Sequence, residues 1–248
     1  MDIKKNFVIT GSTSGIGRAL AYRLDTPTNH LILTGRSQEK LLLLSKELRT
    51  STTVIVADLE DIDNISSISQ HFPINIDGYV HAAGLESIEP LKLINYKKYD
   101  RLMRLHLYSF VEILKIIEKR KKRDDEYLTS VVAISSIASD NGGMGQTMYA
   151  SSKAALEATL RILSKELSPK RIRINAIKPG IVNTEMTGRW MQRIGINDIS
   201  EVEKMQVNGI AQPEDIVDLI EFLLSDKSKH IIGTSIKVDG GGPSGKIF

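Results

Sequence analysis

Short runs of β-branched and other apolar residues alternate with longer amphipathic segments along nearly the whole chain. We predict strands over residues 6–10, 30–34, 53–57, 78–82, 130–135, 171–177 and 230–238, and helices over 15–24, 38–48, 62–71, 96–121, 148–167 and 213–224. Such alternation favours right-handed crossovers and a parallel sheet covered by helices on both faces. The predicted fold class is α/β, a single doubly wound parallel sheet of the Rossmann type with ligands at the carboxyl ends of its strands.

The chain is predicted to form one domain. No interior stretch has the composition of a linker, and 248 residues suit one large α/β domain, so we predict a dinucleotide-binding domain over residues 1–248. Residues 184–209 are the least regular part and carry Met186, Trp190, Met191 and Met205. These adaptable apolar side chains indicate a lid over a substrate pocket, with ordinary packing of a surface helix as the alternative.

Composition excludes several classes of protein. The net charge of +3, from 33 basic and 30 acidic residues, is too small to argue for nucleic-acid binding. The absence of cysteine excludes disulfides and thiolate metal sites, and the five histidines lack metal-ligand spacing, so no metal is predicted. No segment approaches the roughly 18 apolar residues that span a bilayer, and a signal peptide is not predicted. We expect a cytoplasmic protein with neither membrane nor nucleic-acid partners.

Two local patterns resemble binding motifs but are interpreted otherwise. Residues 119–123 are all basic, but the acidic residues 124–126 follow at once, as at a solvated helix end. Residues 240–246 nearly match a phosphate-binding P-loop, yet no helix follows to receive the phosphate, so we interpret them as a C-terminal tail.

A glycine-rich turn, Gly11-x-x-x-Gly15-x-Gly17, follows the first predicted strand and opens the first predicted helix. Glycine permits a tight turn and lets backbone N–H groups approach a pyrophosphate, while the helix directs the positive end of its dipole at the phosphates. An ordinary strand-to-helix turn is the alternative explanation. We predict a dinucleotide site whose candidate contacts are Gly11, Ser12, Ser14, Gly15, Ile16 and Gly17.

The end of the second predicted strand indicates which dinucleotide is bound. NAD-binding folds usually place a carboxylate about twenty residues after the glycines, but here the stretch after Leu33 contains Arg36 and no acid before Glu39. An arginine can form two hydrogen bonds with a 2′-phosphate. We therefore predict NADPH in preference to NADH, without excluding NAD; the alternative is that Arg36 is simply a solvated loop residue.

Tyr149 and Lys153 lie four residues apart in a predicted helix, and Ser136 precedes Tyr149 by thirteen residues. Residues four apart share one helix face, so the phenol and the ammonium are predicted to face the same pocket. A free phenol titrates near ~10, and a neighbouring ammonium favours its ionised form and lowers that pKa. A serine hydroxyl beside them would hold a carbonyl oxygen.

These motifs together resemble the short-chain dehydrogenase/reductase family in its roughly 250-residue form, and the match spans nearly the whole chain in the right order. The resemblance implies catalytic roles for Ser136, Tyr149 and Lys153, the last two also binding the cofactor. It further implies a homotetramer or homodimer that packs its long helices against a neighbour. Additional cofactor contacts implied by the resemblance are Asp58, Leu59, Ala83, Gly84, Ile181 and Thr184.

Two histidines depart from the family pattern. His81 begins His81-Ala82-Ala83-Gly84, where the family usually has Asn-Asn-Ala-Gly. His106 stands where the family usually has an asparagine that holds a water leading to the catalytic lysine. Imidazole can hold a water or move a proton itself, so His106 is a candidate catalytic residue; a hydrogen-bonded core histidine is the alternative.

The predicted function is NADPH-dependent reduction of a ketone or aldehyde, a small-molecule substrate, with Tyr149 as the general acid. The resemblance is strongest to 3-oxoacyl-(acyl-carrier-protein) reductases, although Ser14 occupies a place where those enzymes often carry a basic residue. Alcohol oxidation is the reverse reaction and stays open. A non-catalytic NADP-binding regulator and a sugar-nucleotide epimerase or dehydratase are alternatives that the intact catalytic residues and the short chain disfavour.

Overall fold

The computed structural model describes residues 4–122 and 128–242, which contain one seven-stranded sheet with the strand order β3-β2-β1-β4-β5-β6-β7. Every neighbouring pair is parallel. The strands are β1 (Lys5–Thr10), β2 (Asn29–Gly35), β3 (Ser51–Val56), β4 (Gly78–His81), β5 (Thr129–Ile134), β6 (Ile172–Pro179) and β7 (Ser235–Val238). The predicted fold class is confirmed.

The helices lie between consecutive strands and cover both faces of the sheet. They are α1 (Gly15–Arg23), α2 (Gln38–Glu47), α3 (Ile62–Ile65), α4 (Tyr96–Met103), α5 (Ser109–Arg120), α6 (Ala138–Asn141), α7 (Thr147–Leu167), α8 (Glu185–Ile194), α9 (Ile199–Glu203) and α10 (Pro213–Leu224). Short 3-10 turns follow α3 and α7, at Ser66–His71 and Ser168–Lys170. None of the helices in these described ranges is long and apolar enough to cross a membrane.

Alternate residues of each strand enter two separate cores. In β1, Val8 packs into the core on the side of α3, α5 and α7, whereas Ile9 packs into the core beneath α1, α2 and α10. Because both faces of each strand are covered, the strands read as nearly continuous apolar runs. The strand order reverses at β1, which pairs with β2 on one side and β4 on the other. That reversal places a crevice between the carboxyl ends of β1 and β4.

The structure contains α6, α8 and α9 outside the predicted helices, and three predicted elements differ in form. The predicted helix over 96–121 is interrupted by a π-helical turn at Arg104–Tyr108, where the Leu105 carbonyl accepts hydrogen bonds from the side chains of His81 and Ser109. The predicted helix over 62–71 is one α turn followed by a 3-10 turn. The last predicted strand is shorter because Gly233 has a φ of +73°, which breaks extended backbone.

Two sequence interpretations fall partly outside the described residues. The basic run begins at the end of α5, but Arg123 and the acidic residues after it lie beyond what the structure describes. Residues 243–246 of the P-loop-like segment also lie outside.

Candidate active site

A cavity of about 250 Å³ opens at the carboxyl ends of the strands. Most of its wall comes from segments that directly follow β1 to β6, because parallel strands end at the same edge of the sheet, and α7 adds Tyr149 and Lys153. Among its lining residues are Gly11, Arg36, Asp58, Gly84, Ser136 and Gly180. Most residues predicted to bind a cofactor therefore line the same cavity as Ser136, Tyr149 and Lys153.

The glycine turn is shaped by close backbone approach. Gly11 has a φ of +66°, and a Cβ there would lie 2.9 Å from the Ala83 backbone. A Cβ on Gly17 would lie 2.4 Å from the Gly11 carbonyl oxygen. Ser14 is the residue preceding α1, and its side chain makes no capping hydrogen bond. The first N–H groups of α1 therefore open into the cavity, an arrangement that fits the pyrophosphate of a dinucleotide.

Most of the predicted cofactor contacts line this cavity, but three do not. Ser12 is fully buried and its hydroxyl donates to the Thr34 carbonyl at 3.1 Å, while Gly17 is buried behind the turn. Ile181 lines a neighbouring cavity, and its N–H donates to Gln206 Oε1 at 2.6 Å. Those found in the wall are Gly11, Ser14, Gly15, Ile16, Arg36, Asp58, Leu59, Ala83, Gly84, Tyr149, Lys153 and Thr184.

The end of the cavity near β2 and β3 holds an acidic residue that the sequence interpretation missed. Glu60 lies 3.8 Å from the Arg36 guanidinium and 2.8 Å from that of Arg101. Glu60 Oε1 is buried and accepts no hydrogen bond within the described part of the chain. A buried acceptor without a donor is costly, so this oxygen fits a site where a ligand donor completes it. Its position two residues after Asp58 was the available signal.

Lys153 is buried beside Tyr149. Its Nζ donates to the Ile134 carbonyl at 2.8 Å and lies 5.8 Å from the centre of the Tyr149 ring. Burial lowers the pKa of Lys153 to about 8, and the Glu157 carboxylate partly opposes that shift. The ammonium thus sits within reach of the phenol, on the same face of α7 as predicted from the four-residue spacing.

The pKa of Tyr149 in the protein alone differs from the sequence expectation. Burial raises the pKa of the Tyr149 phenol, the Ser136 hydrogen bond opposes this, and the Glu86 charge adds to it. The Lys153 ammonium, which together with the nicotinamide of the oxidised cofactor was expected to lower this pKa, is not among the groups that shift it in the protein alone. The phenol is consequently protonated at neutral pH and able to donate.

Comparisons with known proteins agree with this arrangement. A family model described as enoyl-(acyl carrier protein) reductase matches residues 11–242. The chain belongs to the short-chain dehydrogenase/reductase family. It is 30% identical to the 3-oxoacyl-(acyl-carrier-protein) reductase of Rickettsia felis over 239 residues, which is 96% of each chain.

Two further similar proteins are reductases of other named substrates. The chain is 30% identical to an L-xylulose reductase of Caenorhabditis elegans over 242 residues, covering 96% of this chain and 95% of the relative. The crystal structure of levodione reductase superposes with a TM-score of 0.86 at 27% identity, covering 97% of this chain and 98% of that one. This short-chain dehydrogenase/reductase is thus an NAD(P)-dependent oxidoreductase, and its cofactor is a nicotinamide dinucleotide.

His106 of this short-chain dehydrogenase/reductase is fully buried and does not line the cavity. Its Nε2 accepts the Leu85 N–H at 3.0 Å, so the neutral ring carries its proton on Nδ1, which donates to Ser152 Oγ at 2.8 Å. Ser152 in turn donates to the Tyr149 carbonyl at 2.7 Å. Burial first, then the Lys153 charge, lowers the pKa of His106 far below its usual range. This geometry favours the core-histidine alternative, because the chain of hydrogen bonds ends on a carbonyl that cannot pass a proton on.

His81 is also buried and neutral. Its Nε2 donates to the Leu105 carbonyl at 3.1 Å, so Nδ1 is the acceptor for the Tyr79 hydroxyl at 2.9 Å. Burial and the Lys153 charge lower the pKa of His81 to about 3. Through the Leu105 carbonyl, His81 ties the end of β4 to the π-helical turn that carries His106.

A buried charged cluster behind Ser136 was not identified from the sequence. Glu157 Oε1 accepts from the hydroxyls of Ser135 and Ser139, both at 2.5 Å. Lys178 pairs with Glu157 at 3.2 Å and also with Asp140. Because these groups bracket Ser136 on both sides, they fix the turn that presents its hydroxyl. Glu157 lies one helix turn after Lys153, which is the signal that could have suggested it.

A smaller cavity adjoins the main one on the side of Ser136 and Tyr149. Residues 184–209 contribute to it through α8, where Met186, Thr187 and Trp190 face Ser136 and Tyr149 across the opening. Met191 is buried instead, and Met205 lines neither cavity. The lid role of this segment stays a prediction.

Proposed function

We propose that this protein reduces a ketone or aldehyde to an alcohol with NADPH. The observation that carries the proposal is the meeting of Ser136, Tyr149 and Lys153 with the glycine turn in one cavity. A buried lysine beside a phenol in this cavity suits proton transfer, and a non-catalytic scaffold or regulator would not require it. Oxidation of the corresponding alcohol is the same chemistry in reverse.

NADPH is favoured over NADH by charge at the end of β2. Arg36 lines the cavity and is 60% exposed at its side chain, so it is free to turn toward a 2′-phosphate. The loop after β2 carries no carboxylate in the cavity wall that would repel that phosphate. Glu60 competes for Arg36, but the 3.8 Å separation is longer than a hydrogen bond, so the competition is weak.

The cofactor, when bound, supplies the hydride that reduces the carbonyl carbon. Tyr149 is protonated at neutral pH and donates its phenolic proton to the carbonyl oxygen. Ser136 donates a hydrogen bond to the same oxygen and stabilises the negative charge that develops on it. Lys153 places a buried positive charge next to the phenolate that remains, and so lowers the cost of forming it.

The first substrate class to consider is a 3-oxoacyl thioester. Support comes from the resemblance of the motifs and from the 30% identity to a reductase named for that substrate. The L-xylulose reductase is equally similar, so a ketose is the second class. The two classes differ in whether hydroxyl groups flank the carbonyl.

The proposal is tested by replacing the phenol alone. We expect NADPH oxidation, followed by absorbance against β-ketoesters, diketones, aldehydes and keto-sugars, to fall at least about a hundredfold in Tyr149→Phe, because the proton donor is lost. NADPH binding, followed by its fluorescence, should change little. Retained turnover in this variant would contradict the assignment of Tyr149. A wild-type protein that binds NADPH and reduces no carbonyl would instead favour a regulator.

A further inference from the structure

A carboxylate lies in the wall of the smaller cavity beside Ser136 and Tyr149. Glu86 follows β4 by five residues and lines the smaller cavity together with Ser136, Tyr149 and Trp190. Only 10% of its side chain is exposed. Its charge reaches the reaction centre, since it contributes to the raised pKa of Tyr149.

The Glu86 carboxylate has no hydrogen-bonded partner within the described residues, although most of its side chain is covered. Its two cationic neighbours are Arg193 at 3.6 Å and Arg189 at 3.9 Å, both beyond hydrogen-bond distance. Both arginines are half-exposed, whereas the carboxylate is not. Within the described residues, no hydrogen bond reaches either oxygen of Glu86.

Glu89, on the same loop, is a carboxylate that does form a hydrogen bond within the protein. Its carboxylate accepts a hydrogen bond from Lys98 Nζ at 2.8 Å, and it lines neither of the two cavities beside Tyr149. A buried carboxylate gains most from charge-assisted hydrogen bonds and is costly without them. Glu86 therefore has acceptor oxygens that no hydrogen bond within the described residues engages, in the wall of the cavity that also contains Ser136 and Tyr149.

We propose that Glu86 accepts a hydrogen bond from the substrate and makes the enzyme selective for ketones that carry a hydroxyl group next to the carbonyl. This inference rests on the proposed carbonyl reduction, but not on the 3-oxoacyl class. An ionised carboxylate only accepts hydrogen bonds, so it favours binding of a hydroxyl group, which can donate one, over an alkyl group, which cannot. It also repels a substrate carboxylate.

Other groups in the same cavity suit a hydroxylated substrate. Asn141, Gln146 and Thr187 lie in its wall beside Glu86. Gln146 Oε1 is already used, since it accepts the Gly143 N–H at 2.8 Å, which leaves the amide N–H₂ to donate. Acceptor and donor groups thus line the cavity together with the apolar side chains of Trp190 and Met186.

The kinetic test uses two ketones of the same size. In 1-hydroxybutan-2-one a hydroxyl replaces one methyl group of pentan-3-one, so their kcat/KM ratio isolates the hydroxyl group. We expect the wild type to prefer the hydroxy ketone by about tenfold or more, Glu86→Gln to keep part of that preference, and Glu86→Met to lose it. Glu89→Gln is the matched control and should keep the wild-type ratio.

The arginine contacts suggest a competing explanation, in which Glu86 only holds α8 against the loop after β4. In that case Glu86→Met would lower kcat/KM for both ketones by the same factor, and the ratio would not change. An unchanged ratio overturns the proposal, as does a wild type that prefers pentan-3-one.

A binding measurement separates this inference from the proposed reaction. Trp190 is the only tryptophan of the chain and lines the same cavity, so its fluorescence reports occupancy whether or not turnover occurs. We expect butane-1,2-diol to change the fluorescence of the NADPH complex at lower concentration than pentan-3-ol, and Glu86→Met to abolish the difference. If no carbonyl is reduced but this difference is present, the reductase proposal fails and the role of Glu86 stands. Equal binding of both alcohols to the wild type overturns the role of Glu86.

Discussion

The two buried histidines show how far the role of a single residue depends on partners that the sequence does not reveal. His106 is a candidate catalytic residue from its motif position, with a hydrogen-bonded core histidine as the alternative, and its ring lies 5.7 Å from the Tyr149 ring. The hydrogen bonds of His81 and His106 depend on groups distant in the chain, such as the Leu105 carbonyl and the Leu85 N–H. No local pattern specifies those partners, so the tautomer and the charge were not predictable.

Both histidines make folding sensitive to acid. The pKa of His81 is lowered to about 3 and that of His106 is far below 6.5, so the unfolded chain binds protons that the folded chain does not. Stability is therefore lost as the pH falls below about 6.5, and we expect about 2 kcal/mol of loss per histidine between about pH 7 and pH 5. Urea unfolding of the wild type and of His81→Asn with His106→Asn at both pH values measures this.

The quantity to compare is the change in the free energy of unfolding between the two pH values, because the double variant also differs from the wild type in packing at both. Exposed His71→Asn is the control and should show the wild-type loss. A double variant that loses as much stability as the wild type between the two pH values would contradict the assignment of neutral histidines.

At the scale of helices and strands, the hydrophobic periodicity of the sequence was sufficient to predict the type and order of the main elements. All seven predicted strands are present, since fully covered parallel strands leave long apolar runs that are easily recognised. The π-helical turn was not predicted, because the apolar pattern continues through the long helix. The side-chain hydrogen bonds to the Leu105 carbonyl at this turn leave no mark on that pattern. The charged cluster around Glu157 was not predicted either, because its partner Lys178 comes from β6, which is distant in the sequence.

Two glycines allow a matched test of the turn before α1. A Cβ on Gly17 would lie 2.4 Å from a backbone oxygen, so Gly17→Ala must shift the turn. We expect about 1–3 kcal/mol of destabilisation and weaker NADPH binding. A Cβ on Gly188, inside α8, would have no atom within 4 Å, so Gly188→Ala should stabilise the protein by about 1 kcal/mol.

Urea unfolding and NADPH fluorescence titration provide both measurements. Unchanged NADPH affinity in Gly17→Ala would mean that the turn is not the phosphate site. If Gly188→Ala destabilised the protein, α8 would be packed more closely at Gly188 than the open space around that residue indicates.

At the scale of the whole molecule, the predicted assembly depends on the outer faces of the long helices. Ile162 of α7 is 55% exposed and Tyr108, at the start of α5, is 39% exposed, so apolar side chains face outward on both. We expect a homodimer or homotetramer through these faces, and Ile162→Glu to shift it to a smaller species because a charge would be buried in the interface. Light scattering after size-exclusion chromatography measures the mass.

The control is another exposed isoleucine away from these helices. Ile74 precedes β4 and is 56% exposed, so Ile74→Glu should keep the wild-type mass. A wild-type protein that is monomeric at high concentration would contradict the prediction.

The position of β1 has a kinetic consequence. β1 comes first among the strands but lies inside the sheet, and its partner on one side is β4, with Phe7 opposite Gly78. The intervening residues must close a long loop before that edge of β1 is satisfied, and pairings so distant in sequence slow folding to milliseconds or longer. A nascent chain therefore carries a bare apolar strand edge while β2 and β3 are made, and the interval before β4 arrives is when aggregation or chaperone capture competes with folding.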